Sequence, residues 1–206
     1  AYIPAHPKMA LGLGDFTYEI IIKSNPSAPL ASYGGQAESL LDIGGNGPEG
    51  YVSFWTNRAT CSTCYDYVSF RSSNAITGIS TNLRDNKCHH IAVVKNATDT
   101  KMYMDGVLLH TENNTFNYGP TGNGINPTQL GGFYDPNQLP QIGNAFNGSI
   151  KELRIWTSAR TQADIQKHMN TALYGNEPTL VAYYPFDETG AVEPIYDRIS
   201  PTLTKP

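Results

Sequence analysis

No apolar run in the 206-residue chain approaches the roughly twenty residues that a helix needs to cross a bilayer, so no membrane insertion is expected. Basic excess is missing too: 14 Lys and Arg stand against 18 Asp and Glu, a net charge of -4. A protein that grips a phosphate backbone normally carries a basic patch, so nucleic acid is not an expected partner. Charged residues of both signs make up only 16% of the chain, too few for a solvated disordered polymer. Runs of Lys, Glu and Arg at helical spacing are nearly absent. Cysteine is limited to Cys61, Cys64 and Cys88, an odd number that completes no disulfide framework. The start at Ala1 shows no charged and apolar leader, which fits either a removed leader or a piece of a larger protein.

What is plentiful points to β structure. Glycine (19) and proline (14) demand frequent turns, and 13 Tyr with 7 Phe suit pleated, half-buried surfaces. Residues 16–23 read FTYEIIIK: Phe16, Tyr18, Ile20 and Ile22 alternate with Thr17, Glu19, Ile21 and Lys23. That period of two predicts a strand with the first set facing the core. Further strands are expected at 40–43, 51–56, 65–70, 75–80 and 149–156, with a last one at 180–186. Residues 87–110 predict a three-stranded meander, because Asp105-Gly106 is a strong signal for a two-residue type I′ hairpin. Residues 113–147 read as a long Asn-, Gly- and Pro-rich loop with a short strand at 129–132. One helix is expected between residues 158 and 173, N-capped by Thr161 with Asp164 completing a capping box. No repeat and no linker divides the chain. Residues 1–206 read as one all-β domain, two antiparallel sheets forming a sandwich.

Cys61-Ser62-Thr63-Cys64 lies in the loop between two expected strands. No second CxxC or His pair completes a zinc site, and no βα turn follows as a redox motif requires. A structural Cys61–Cys64 loop disulfide is expected if the protein is extracellular, with Cys88 free and buried in a core strand.

Three segments together resemble the laminin-G-like branch of the concanavalin-A-like lectin and glucanase superfamily, to which pentraxins are related. The first is Cys88-His89-His90-Ile91-Ala92-Val93-Val94 followed by Tyr103-Met104-Asp105-Gly106. The second is Phe146-Asn147-Gly148-Ser149-Ile150-Lys151-Glu152-Leu153-Arg154-Ile155-Trp156. The third is Leu180-Val181-Ala182-Tyr183-Tyr184-Pro185-Phe186-Asp187. The resemblance implies a jelly-roll sandwich with one short helix near the C-terminus, in an extracellular or cell-surface protein. Arg154 and Trp156 belong to the resembling signature and are read as structural. Cys88 stands where that family usually has Trp. Lys151 stands where calcium-holding members have Asp, so at most one structural calcium ion is expected.

The catalytic members of the superfamily carry Glu-x-Asp-x-x-Glu on one strand, supplying the paired carboxylates of retaining hydrolysis. Here the position two residues on, where that motif has Asp, is Ile21 after Glu19, Leu40 after Glu38 and Gly190 after Glu188. No Gly-x-Ser-x-Gly or His-Glu-x-x-His is present either. The expectation is a non-catalytic carbohydrate-binding module, with a protein-interaction or adhesion domain as the alternative. Sugars are held by aromatic faces together with a few orienting polar groups. Candidate ligand-binding residues are Trp55, Tyr65, Tyr67, Tyr118, Tyr134 and Asn137, with Phe133, Asn57, Arg58 and Gln138 nearby. Loops are expected to carry them. His89 and His90 should point to opposite faces of one strand, one packed and one exposed, and so share no metal.

Overall fold

The computed structural model describes residues 2–3, 11, 14–27, 37–43, 52–57, 66–72, 75–113, 128–134, 142–143, 145–187 and 197–199. Two six-stranded sheets form a jelly-roll β-sandwich. The first runs in the order β1 (Tyr2–Ile3), β10 (Thr128–Leu130), β3 (Ala37–Ile43), β4 (Val52–Asn57), β5 (Asp66–Ser72), β6 (Ala75–Thr81). The second runs β14 (Leu180–Tyr184), β13 (Gly148–Trp156), β2 (Phe16–Ser24), β7 (His89–Lys95), β8 (Asp99–Met104), β9 (Val107–Asn113). A two-stranded ribbon joins β11 (Phe133–Tyr134) to β12 (Ile142–Gly143). Neighbours in all three sheets pair antiparallel.

The core lies between the two large sheets and follows from alternation. Phe16, Tyr18, Ile20 and Ile22 of β2 are buried there, as expected, facing Leu41, Phe54, Val68 and Phe70 of the first sheet. Phe70 ties the layers together: its ring centroid is 5.9 Å from that of Phe16, 5.5 Å from Tyr18 and 4.9 Å from Phe54. Burial of each such ring contributes about 1.5–3 kcal/mol.

The other face of β2 is not solvated. Thr17 and Glu19 are as buried as their core-facing neighbours. Ser158 and Arg160 cover Thr17, Arg160 reaches Glu19, and α1 (Gln162–His168) follows, laying Ile165 on Ala92, Val94 and Tyr103. Thr161 caps α1 and forms the expected capping box with Asp164. The helix is only seven residues long, shorter than the expected span. Two glutamines fasten it to the Asp105-Gly106 turn: Gln162 and Gln166 both donate to the Gly106 carbonyl, at 2.8 and 2.9 Å. Asp105 and Gly106 have φ of 50° and 76°, the left-handed pair that a type I′ turn needs.

Two expectations about residues 88–90 are corrected. Cys88 is a free but exposed thiol. The chain turns just before it, with Asn86 at φ 64° and the Asp85 carboxylate accepting from the Lys87 N–H, so β7 starts only at His89. His89 and His90 do lie on opposite faces, paired with Ile22 and Ile21, but both are buried. One is enclosed by Asp85 and Asp105, the other by the polar layer under α1.

Candidate functional site

The outer face of the first sheet carries no described helix, unlike that of the second. Register brings Ser39, Trp55, Ser69 and Gly78 into one row across β3, β4, β5 and β6. The adjoining row is Ala37, Asn57, Tyr67 and Ser80. Trp55 therefore occupies a central register position with a serine on either side, on the face opposite that of Phe54 and Thr56. Ser39 and Ser69 are fully buried, and the Ser39 hydroxyl has no hydrogen-bond partner. Tyr67 lies across Gly78, where the end of its ring occupies the space a β-carbon would take. The glycine is thus required by a close approach rather than by its own backbone angles. The Tyr67 ring is only half-buried and pairs across the strands with the exposed Ser80, so an aromatic face and a hydroxyl group are offered side by side.

Trp55 and Tyr67 occupy neighbouring register positions on two strands, β4 and β5. Tyr134 pairs with Ile142 in the small ribbon, whose strand β11 adjoins β3. Tyr65, Tyr118, Asn137, Arg58 and Gln138, and the Cys61–Cys64 pair, lie outside the described residues. Ser39, Ser69 and Gly78 were missed from the sequence. The available signal was the run of small residues sharing one alternation phase with Trp55 in neighbouring strands.

A second constellation looks chemical and is structural. On the outer face of the second sheet Glu19 meets His90 (Nε2 to Oε2, 2.8 Å), Arg154 (3.4 Å) and Arg160 (3.4 Å). Burial pushes the Glu19 carboxyl up. The His90 hydrogen bond and the charges of His90, Arg154 and Arg160 outweigh it and hold the carboxyl below its ordinary value. Arg154 also donates to the carbonyls of His168 (3.0 Å) and Thr171 (2.8 Å) and to Glu152 (2.6 Å). The Arg160 guanidinium stacks 3.8 Å from the centroid of Trp156. These groups point at one another and at backbone, so they fasten α1 and the segment after it to the sheet. That is the structural role expected of Arg154 and Trp156. Among the described residues no three His, Cys, Asp or Glu side chains converge to hold a metal.

Residues 1–166 match the family model of a laminin G-like domain, described as the concanavalin A-like lectin/glucanases superfamily. No curated protein matches the chain. A proposed carbohydrate-binding protein from Bacteroides ovatus ATCC 8483 superposes with a TM-score of 0.69 at 17% identity over 95% of this chain. This chain spans about half (52%) of that protein. The CBM40 of Ruminococcus gnavus IT-sialidase gives 0.54 at 15% identity, over 76% of this chain and 83% of that one. It is also solved bound to α2,3 sialyllactose. Domain 4 of AbnA, a GH43 extracellular arabinanase from Geobacillus stearothermophilus in complex with arabinotriose, gives 0.51 at 17% identity, over 81% and 70% of the two chains. At these identities the likeness is one of fold.

Proposed function

The chain belongs to the concanavalin A-like lectin/glucanase superfamily, and from that premise we propose that it is a non-catalytic carbohydrate-binding module of an extracellular or cell-surface protein. The observation that carries the reading is on the first sheet, where the half-buried Tyr67 is laid over Gly78, one row from the register position of Trp55. A sugar ring stacks its C–H face on an aromatic side chain while its hydroxyls find an exposed polar neighbour, here Ser80 beside Tyr67. Sugar-bound neighbours of the same fold, with arabinotriose and sialyllactose, support the ligand class. The absent Glu-x-Asp-x-x-Glu pattern supports the lack of hydrolysis. Calcium has at most a structural part in this reading, as one ion held largely by backbone carbonyls, and melting with and without chelator tests it.

The test is a broad glycan panel on the protein beside a hydrolysis assay. Retention at roughly 0.1–1 mM affinity, about -4 to -5.5 kcal/mol, with no sugar released, is the expected result. Released sugar overturns the non-catalytic reading. No glycan retained at millimolar concentration overturns the carbohydrate reading in favour of an adhesion domain with a protein partner.

A further inference from the structure

The segment after α1 is fastened residue by residue. Arg154 holds the Thr171 carbonyl at 2.8 Å, and the Leu173 N–H donates to the Tyr183 hydroxyl at 3.2 Å. The Glu177 carboxylate accepts from the Tyr174 and Gly175 N–H groups at 2.7 and 2.9 Å. Gly175 sits at φ 84°, and a β-carbon there would fall 2.8 Å from the Arg198 carbonyl oxygen. Leu173 is buried with Trp156, Leu180 and Tyr183. Yet Tyr174, in the middle of this fixed loop, is 92% exposed. The fold holds the backbone at Tyr174 in place and makes no use of its ring.

Beside Tyr174 opens a groove of about 740 Å³ on the outer face of the second sheet. This lies within the range of roughly 300–1,000 Å³ typical of small-ligand sites. Its polar lining carries both signs. Glu152 and Asp187 supply carboxylates, each already paired with an arginine, Arg154 and Arg198. Lys151 is the bulged residue of β13, skipped where Ile150 pairs with Ile22 and Glu152 with Ile21. It lines the groove, is exposed, and makes no ion pair among the described residues. A bulge that re-aims one side chain is a common device at binding sites.

We infer that this groove is a second saccharide site, which takes a neutral sugar stacked on Tyr174. The inference rests on the glycan-binding reading and adds to it. An anionic ligand would meet Glu152 and Asp187, and a cationic one Lys151 and Arg198. A sugar hydroxyl both donates and accepts, so it suits a lining that offers both. The groove and the Trp55 row lie on opposite outer faces of the sandwich. One molecule therefore holds two glycan chains at once, and retention on a dense glycan surface exceeds that of either site alone.

Nitrogen-15-labelled protein titrated with lactose, arabinotriose and 3′-sialyllactose to about 20 mM tests this by amide shifts. A neutral sugar is expected to shift the amides of Lys151, Asn170 and Tyr174. Tyr174→Ala should weaken that binding about tenfold, Tyr174→Phe should retain it, and Trp55→Ala should leave it unchanged. Both tyrosine variants stay folded, because the ring is exposed. Shifts confined to β4 and β5 overturn the second site and leave the glycan-binding reading standing. Shifts confined to the groove support the second site and overturn the Trp55 row. Groove shifts with 3′-sialyllactose alone overturn the neutral class, and no shift with any sugar overturns both.

Discussion

The Asp105 carboxylate and the His89 imidazole stand 2.9 Å apart, where the β8–β9 turn meets the first residue of β7. The second Asp105 oxygen accepts from the His90 N–H at 2.9 Å, and Asp85 takes the other ring nitrogen of His89 at 2.9 Å. The Asp105 hydrogen bond is the largest influence on His89. With Asp85 it outweighs burial and raises the imidazole pKa. Burial pushes the Asp105 carboxyl up, but its bonds to His89 and the His90 N–H hold it below the ordinary value. The histidine's contribution to stability is present in full below an unfolded value of about 6.5 and is lost as pH rises through the raised folded value. The carboxylate's contribution is present above about 3.9 and is lost as pH falls through the depressed value. Both act together between about pH 4 and 6.5. Asp105→Asn keeps a residue that tolerates the left-handed turn and removes only the charge. The Tm gap between wild type and Asp105→Asn is therefore expected to be wider at about pH 5.5 than at about pH 9. An equal gap at both would take the ion pair out of the explanation.

Gly78→Ala tests how the first site is shaped. The new methyl group occupies the space of the Tyr67 ring end, which must swing aside. Gly78 has no left-handed φ, so the backbone accepts alanine, and stability should change by less than about 1 kcal/mol. Glycan retention should fall several-fold, and Tyr67→Ala should give a similar loss. Equal retention by Gly78→Ala and wild type would show that the Tyr67 position is irrelevant to binding.

The thiols offer a chemical check. Cys88 is exposed, so it should react with a thiol reagent in the native protein. If Cys61 and Cys64 are oxidised together, as we propose, the count stays at one after denaturation without reductant. A denatured count of three, or a mapped bond to Cys88, refutes the pairing.

Alternation within single strands made the core legible. Phe16, Tyr18, Ile20 and Ile22 are a pattern that local spacing alone specifies. Thr17 and Glu19 carry the same local signal as solvent-facing residues, and partners more than 130 residues further on, Ser158 and Arg160 on Thr17 and Arg154 and Arg160 on Glu19, bury them. The same limit hid the site. Trp55 and Tyr67 were visible as aromatics, but their common face with Ser39 and Gly78 depends on register between four strands. Tyr174 was not singled out, because nothing in Leu173-Tyr174-Gly175 tells a buried ring from one held in water. Cys88 was misplaced because the apolar run of β7 gave no sign of the turn at Asn86.

The buried polar layer under α1 should behave as one unit. Arg154 reaches Glu19 at 3.4 Å and the His168 and Thr171 carbonyls at 3.0 and 2.8 Å, with both charged side chains 1% exposed. Removing one partner from a buried ion pair leaves an uncompensated charge, at a cost of about 3–5 kcal/mol. Arg154→Met should approach that cost, because it also strands two carbonyls. Glu19→Gln alone leaves Arg154 and Arg160 facing each other without their shared carboxylate, and is destabilising too. In the double variant the second change removes a charge already deprived of its partner. Its cost should fall short of the sum of the single costs by about 0.5–3 kcal/mol, measured by urea denaturation. Strict additivity would mean that Arg154 acts only through Glu152 and the two carbonyls and that Glu19 is balanced by His90 and Arg160 alone.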